Sequence, residues 1–224
     1  MSAPPAPRRL RADAARNRQA LIDAAQRLFA SRGLSATLDD IAAEAGVNVA
    51  TAYRHFANKQ ELAGAFLEGK IAQAVQIAEE AAAAEDPWAG LTGFFERTLA
   101  LMTANRGLHD ILTPAYADRW LERLDDQVEP RMRRLIARAQ RAGALRKGVE
   151  PGDLGVVLQM LASVTDIPSD DQAATLRRYL ALLLAGLRPD GARLPGTPPS
   201  PGQARTAITS AERRRHDAQR NGAA

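Results

Sequence analysis

Cysteine is absent from this 224-residue chain, which removes disulfide frameworks and thiolate metal sites together. Histidine is scarce: His55, His109 and His216 stand too far apart in sequence to form a zinc cluster. Aromatic residues make up only 4% of the chain and β-branched residues are sparse, so few strand formers compete with the abundant alanine, leucine and arginine. No long apolar run exists. The longest, YLALLLAGL at 179–187, falls far short of the ~20 residues that span a bilayer. The N-terminal MSAPPAPRRLR lacks the apolar segment of a secretory signal, so the expectation is a soluble, cytoplasmic protein without membrane partners. Nor is there a large charge excess: 30 Lys and Arg against 26 Asp and Glu leave +4, too little by itself to mark a nucleic-acid binder. Catalytic patterns are missing as well. The chain has no G-x-S-x-G elbow, no phosphate-binding glycine loop and no metal-ligand spacing. The pairs Asp125-Asp126 and Asp170-Asp171 are sequence neighbours that diverge on a helix, poor partners for acid/base work. No enzyme, metal or cofactor is expected.

What is present is helical periodicity. Leu21, Ala24, Ala25, Leu28 and Phe29 form one apolar stripe on a helix opening at Asp13 and running to about Ser31. Thr37-Leu38-Asp39-Asp40 combines a hydroxyl cap with first-turn acids, and Gly46 ends the helix that follows. Asn48 can cap a short helix from Val49 to Phe56, and Asn58-Lys59-Gln60-Glu61 resembles a capping box for a helix reaching residue 84. Beyond Asp86-Pro87 the pattern predicts helices at 87–104, 107–112, 116–143, 151–164 and 170–187, the last starting with a Ser169–Gln172 capping box. No alternating strand pattern competes, and the expected fold class is all-α. The predicted organisation is a disordered basic arm at 1–12, a three-helix unit at 13–66, a larger helical bundle at 67–187, and a disordered Pro/Gly/Arg-rich tail at 188–224.

Helix, glycine turn and short second helix make a helix-turn-helix. A recognition helix packs one face inward and offers its N-terminal residues to base edges in the major groove. Val47, Ala52 and Phe56 suit the packing face. Asn48, Val49, Thr51 and Arg54 are left at the reading end, while Tyr53, His55 and Lys59 can reach phosphate oxygens on either side. Lys59 also opens a helix whose backbone N–H groups favour an anion.

Residues 17–66 resemble the DNA-binding domain of the TetR family of bacterial transcriptional regulators. The resemblance rests on Leu28-Phe29, Gly33-Leu34, Thr37-Leu38-Asp39-Asp40-Ile41-Ala42, Ala45-Gly46-Val47, Thr51, Tyr53, His55-Phe56, Lys59 and Leu62. It implies an N-terminal DNA-binding domain followed by a ligand-binding and dimerising bundle, in a homodimeric, ligand-responsive repressor of a pseudo-palindromic operator. By the same resemblance Thr37, Tyr53, His55 and Lys59 match phosphate-contacting positions, and Asn48, Val49, Ala50 and Thr51 match positions near base edges. Asn48 stands where serine or threonine is frequent, and Ala52 where a larger aliphatic residue is common.

Other assignments follow with plainer alternatives beside them. Arg8, Arg9 and Arg11, with Arg16 and Arg18, are either a solubilising tail or a minor-groove arm. Met102, His109, Tyr116, Trp120, Met132 and Met160 are candidates for an effector pocket, or plain core residues. Leu154, Leu158 and Leu161, with Leu176, Leu180, Leu183, Leu184 and Leu187, match the region that relatives use for dimerisation; stripes this wide could equally bury within their own chain. Trp88 reads as a packing anchor between the two regions. Two other classes compete with the regulator: a helical ligand-binding or interaction protein, and an architectural DNA binder without sequence preference.

Overall fold

The computed structural model describes residues 7–32, 36–103, 114–164, 167–189, 192, 194–200, 202–204 and 206, with the helical backbone alone at 7–11, 30–32 and 114–119. Its elements are α1 (Pro7–Arg32), α2 (Leu38–Glu44), α3 (Val49–His55), α4 (Lys59–Ala83), α5 (Pro87–Thr103), α6 (Pro114–Arg141), α7 (Pro151–Val164) and α8 (Gln172–Leu187). All are helices, and no strand occurs among the described residues. The chain divides into two compact units after Lys70, within α4. The helix expected at 107–112 lies outside the described residues.

In the first unit the α1 stripe (Leu21, Ala24, Ala25, Leu28 and Phe29) is buried together with Leu38, Ile41 and Ala42 of α2 and Leu62 and Phe66 of α4. An ion pair between Arg27 and Glu44, 2.8 Å apart, ties α1 to α2 at the surface. α1 itself begins earlier than Asp13. Pro7 fits a first helical position, and the following RRLRADAARN contains no breaker, so the helix covers residues assigned to a disordered arm. Asp13 sits inside it, paired with Arg16 one turn on.

Local chemistry sets the turn. Thr37 caps α2 in a full capping box: its hydroxyl accepts from the Asp40 N–H, and the Asp40 carboxylate accepts from the Thr37 N–H. At the other end Gly46 takes φ +64°, its N–H donates to the Ala43 carbonyl, and the Val47 N–H donates to the Ala42 carbonyl. These two bonds close a Schellman motif, which needs a left-handed residue at the position Gly46 holds. α4 opens with the Asn58 side chain accepting from the Glu61 N–H. Glu61 reaches back to the Ala57 N–H, one residue before the one a standard capping box would use.

The second unit packs Leu91, Phe95 and Leu99 of α5, Met132, Leu135 and Ile136 of α6, and Leu154, Leu158 and Leu161 of α7 into one core, closed by Leu180 and Leu187 of α8. Asp86 caps α5 and Pro87 takes its first position, as their order in the sequence predicts. Arg138 of α6 donates to the carbonyls of Ala82, Ala84 and Glu85, which the end of α4 leaves without helical partners. Trp88 serves within this unit: the Arg188 guanidinium lies 3.6 Å over its ring, joining the start of α5 to the end of α8. α8 starts at Asp171, whose carboxylate accepts from the Ala174 N–H; Ser169 instead bonds to the Thr175 hydroxyl and is not the cap.

The expected disordered tail needs correction. After α8, Arg146 donates to the carbonyls of Gly186 and Ala192, and Leu194 packs on the core. Ser200 and Gln203 then exchange side-chain and backbone bonds as a capping box, and Ala204 is buried. The segment lies on a face of α7 kept bare by two glycines. A Cβ on Gly152 would stand 2.1 Å from the Pro199 carbonyl oxygen, and one on Gly155 would stand 3.7 Å from the Ala204 methyl. The order Ser200-Pro201-Gly202-Gln203 carries the hydroxyl cap, N1 proline and N3 glutamine of a helix start, a local signal hidden by the surrounding proline and glycine.

Candidate nucleic-acid interface

α3 is built to present one face. Asn48, in extended conformation, caps it by accepting from the Ala50 N–H at 2.9 Å. Ala52 and Phe56 point into the first unit and are fully buried, while Val47 is half-buried. That burial leaves Val49, Ala50, Tyr53 and Arg54 exposed, with Thr51 and His55 part-exposed. Tyr53 is 50% exposed, a large aromatic surface for a seven-residue helix. Arg54 donates to the Thr51 hydroxyl at 3.0 Å, one turn back along the same face. Arg18 of α1 places its guanidinium 5.0 Å over the inner ring of Phe56.

Phosphate-contact candidates gather near this face, several of them already engaged. Thr37 caps α2, and its hydroxyl lies 2.6 Å from the Asp40 carboxylate. Tyr53 donates its hydroxyl to Asp39; that hydrogen bond, with the carboxylate charge behind it, pushes the phenol pKa up. Lys59 is the first residue of α4, at its N-terminus. Asp39 is the residue that sequence reasoning left unassigned to this surface. Asp39 reads locally as a first-turn acid complementing the dipole of α2, and its partner Tyr53 is 14 positions away, beyond any local pattern.

Asp39 sets up a competition. A phosphate oxygen approaching Tyr53 must take the hydroxyl from a carboxylate that also repels the phosphate. Asp39→Ala is therefore expected to tighten DNA binding severalfold in low salt, with the gain shrinking as salt screens the lost charge. Fluorescence anisotropy with one duplex at two ionic strengths measures it; weaker binding by the variant would show that Asp39 holds Tyr53 in its DNA-contacting pose instead.

The remaining assignments separate. Arg8, Arg9 and Arg11 lie on the helical backbone of α1 rather than on an extended arm. Met132 is 2% exposed in the core of the second unit, Met102 and Trp120 are half-buried, and Met160 is 51% exposed. His109 and the Tyr116 side chain lie outside the described residues. An open groove of about 290 Å³ does exist between the end of α4 and α5, lined by Glu80, Glu85, Asp86, Gly93, Phe94 and Arg97, none of them a candidate from sequence. The leucines expected at a dimer interface divide into five that are buried and three that are part-exposed. Leu154, Leu158, Leu161, Leu180 and Leu187 are buried in their own chain, with Leu176, Leu183 and Leu184 packed against the same core. The exposed apolar surface of these helices is Met160 on α7 and Tyr179 and Leu182 on α8. Among the described residues no helix is long and apolar enough to cross a membrane, and no group of three or more metal-ligating side chains converges.

Residues 21–66 match the family model of bacterial regulatory proteins, tetR family, and residues 86–189 match the model of the SbtR-like transcriptional regulator C-terminal domain. The segment packed on α7 beyond Arg188 and Pro189 thus lies past both matches. Among solved structures, a TetR transcription regulatory protein from Mycobacterium vanbaalenii is 32% identical over 80% of this chain and 99% of its own, with a TM-score of 0.62. The TetR transcriptional regulator SCO0520 from Streptomyces coelicolor is 29% identical over 78% of this chain and 99% of its own, with a TM-score of 0.63. SmeT, the repressor of the Stenotrophomonas maltophilia multidrug efflux pump SmeDEF, is 26% identical over 82% and 96%, with a TM-score of 0.54. A comparison with curated proteins finds no match. With a capped, outward-facing recognition helix in its first unit and relatives matched over nearly their whole length, the chain is a DNA-binding transcriptional regulator and belongs to the TetR family.

Proposed function

We propose that the protein is a homodimeric, non-enzymatic repressor of the cytoplasm that holds a pseudo-palindromic operator and is released by a small effector. The observation that carries this reading is the outward face of α3: Val49, Ala50, Tyr53 and Arg54 are exposed on a helix that Ala52 and Phe56 anchor. Two such helices related by a two-fold axis would enter successive major grooves, with half-site centres ~34–36 Å apart or a multiple of that. Asn48, Val49, Ala50, Thr51 and Arg54 face the bases; Thr37, Tyr53, His55 and Lys59 hold phosphates. The exposed apolar residues of α7 and α8 supply the dimer surface, since Met160, Tyr179 and Leu182 are the large hydrophobic side chains those helices leave uncovered. Relatedness to SmeT, described as a repressor, supports the sign of regulation. Effector binding in the second unit needs a coupling of only ~1–3 kcal/mol to change operator affinity 5–150-fold.

The test is selection from a random duplex library at about 150 mM salt, near the physiological level. One enriched inverted repeat is the expected result. On that operator Tyr53→Phe and Lys59→Ala should weaken all sequences alike, because phosphates carry no sequence, whereas Thr51→Ala should change which sequences are preferred. Retention without a motif would replace this reading with the architectural binder. No retention would favour a ligand-binding or interaction protein.

A further inference from the structure

The hydrogen bonds within α3 limit which base edges its reading face can recognise. From Val47 to Gln60 the chain carries no Asp or Glu, and the carboxylate that α2 brings to this face, Asp39, already accepts from the Tyr53 hydroxyl. The amide at the reading end of α3 is Asn48; Asn58 and Gln60 belong to the start of α4. A carboxamide reads adenine with both its atoms, the oxygen accepting from the N6 amine and the nitrogen donating to N7. The cap holds the Asn48 oxygen at 2.9 Å from the Ala50 N–H, taking one of its two lone pairs and tying it to the helix end, so its amide N–H groups are the freer side for DNA. Thr51 is constrained in the same direction. Its oxygen accepts from Arg54 at 3.0 Å, which takes one of its two lone pairs and favours the hydroxyl proton as the part offered to DNA. Arg54 has donors alone, and this bond steadies its stem while the other guanidinium N–H groups of the exposed side chain stay available. Val49 and Ala50 add exposed methyl groups.

Resting on the placement of α3 in the major groove, we infer that the protein reads its operator by donation and methyl contact only. Its contacted edges are guanine, through O6 and N7, and thymine, through O4 and the C5 methyl. The exocyclic amines of adenine and cytosine go unread. Arg54 is the guanine reader, Asn48 supplies donors to an acceptor edge, and Val49 with Ala50 forms the surface for thymine methyls. Thr51 is a positioning residue for Arg54.

Base analogues in the selected operator test this atom by atom. 7-Deazaguanine removes N7, deoxyuridine removes the thymine methyl, and the unsubstituted purine nucleoside removes the adenine amine. The expected pattern is a loss of about tenfold for 7-deazaguanine at one position per half-site. Deoxyuridine at one or two positions should give a smaller loss, and purine for adenine no change beyond that of a non-contacted site. Arg54→Ala should make the protein indifferent to 7-deazaguanine at its position. Asn48→Asp keeps an oxygen for the cap but loses the donors, and should abolish the preference at the Asn48 position with helix content unchanged. Failure of purine-substituted operators, with 7-deazaguanine tolerated, overturns this inference while specific recognition stands. A library that yields no motif overturns the recognition reading, and this inference with it.

Discussion

Phe56→Ala should destabilise the first unit by about 3–5 kcal/mol and abolish binding to every duplex alike. The magnitude is that of deleting a fully buried phenylalanine, lost transfer energy plus the cavity left behind. Phe56 is 1% exposed, ends α3 with its N–H bonded to the Ala52 carbonyl, and carries the Arg18 guanidinium over its ring. Domains are stable by ~5–15 kcal/mol, and one of this size sits towards the low end, so the variant removes a large share of what holds α3 in place. Phe56→Leu keeps most of the buried volume and should retain operator binding at reduced stability. Urea unfolding followed beside anisotropy with operator and non-operator duplexes separates the cases. Full operator affinity in Phe56→Ala would show that α3 holds its pose without this anchor, and the packing account would fail.

Arg138→Met should lower the stability of the second unit by roughly 3 kcal/mol, the worth of one or two charge-assisted hydrogen bonds. For a unit of this size that is a fall of roughly 6–12 °C in Tm. The reason is geometric. The carbonyls of Ala82, Ala84 and Glu85 converge on one planar guanidinium, and no single-point donor meets three of them from one stem. Arg138→Lys should therefore recover only part of the loss. Methionine conserves the apolar stem and leaves the carbonyls to water or to no partner. Differential scanning calorimetry of the three proteins reads the order Arg, Lys, Met; equal melting of Arg and Lys forms would mean that charge at the helix end matters and the fork does not.

Much of the molecule could be read from local signals because those signals complete themselves within a few residues. The Thr37–Asp40 capping box, the Gly46 turn and the Asp86-Pro87 helix start each close their hydrogen bonds inside one turn of chain, and each stands where the sequence placed it. The same locality could mislead. Asp13 has the chemistry of a cap, yet Pro7 offers an earlier start and nothing between them stops a helix. Ser169 has the hydroxyl for a cap, but Asp171 takes the position. A proline- and glycine-rich composition suggested a solvated tail, while the four residues from Ser200 to Gln203 spelled a helix start within it.

By itself, then, the sequence determined an all-helical chain, the helix-turn-helix at 38–55 and the residues offered on its outer face. Periodicity, caps and a left-handed glycine are short-range properties, and they survive whatever the rest of the chain does. Only the tertiary structure decided what covers each apolar face. Leucine spacing announces that α7 and α8 have a buried side but cannot say whether their own chain or a partner buries it. The fold gives those leucines to the internal core and leaves Met160, Tyr179 and Leu182 outside. It likewise decided that Tyr53 meets Asp39 and that the segment after α8 lies on the glycine face of α7. Such contacts join residues far apart in sequence, and their free energy exists only once the chain has closed the loops between them.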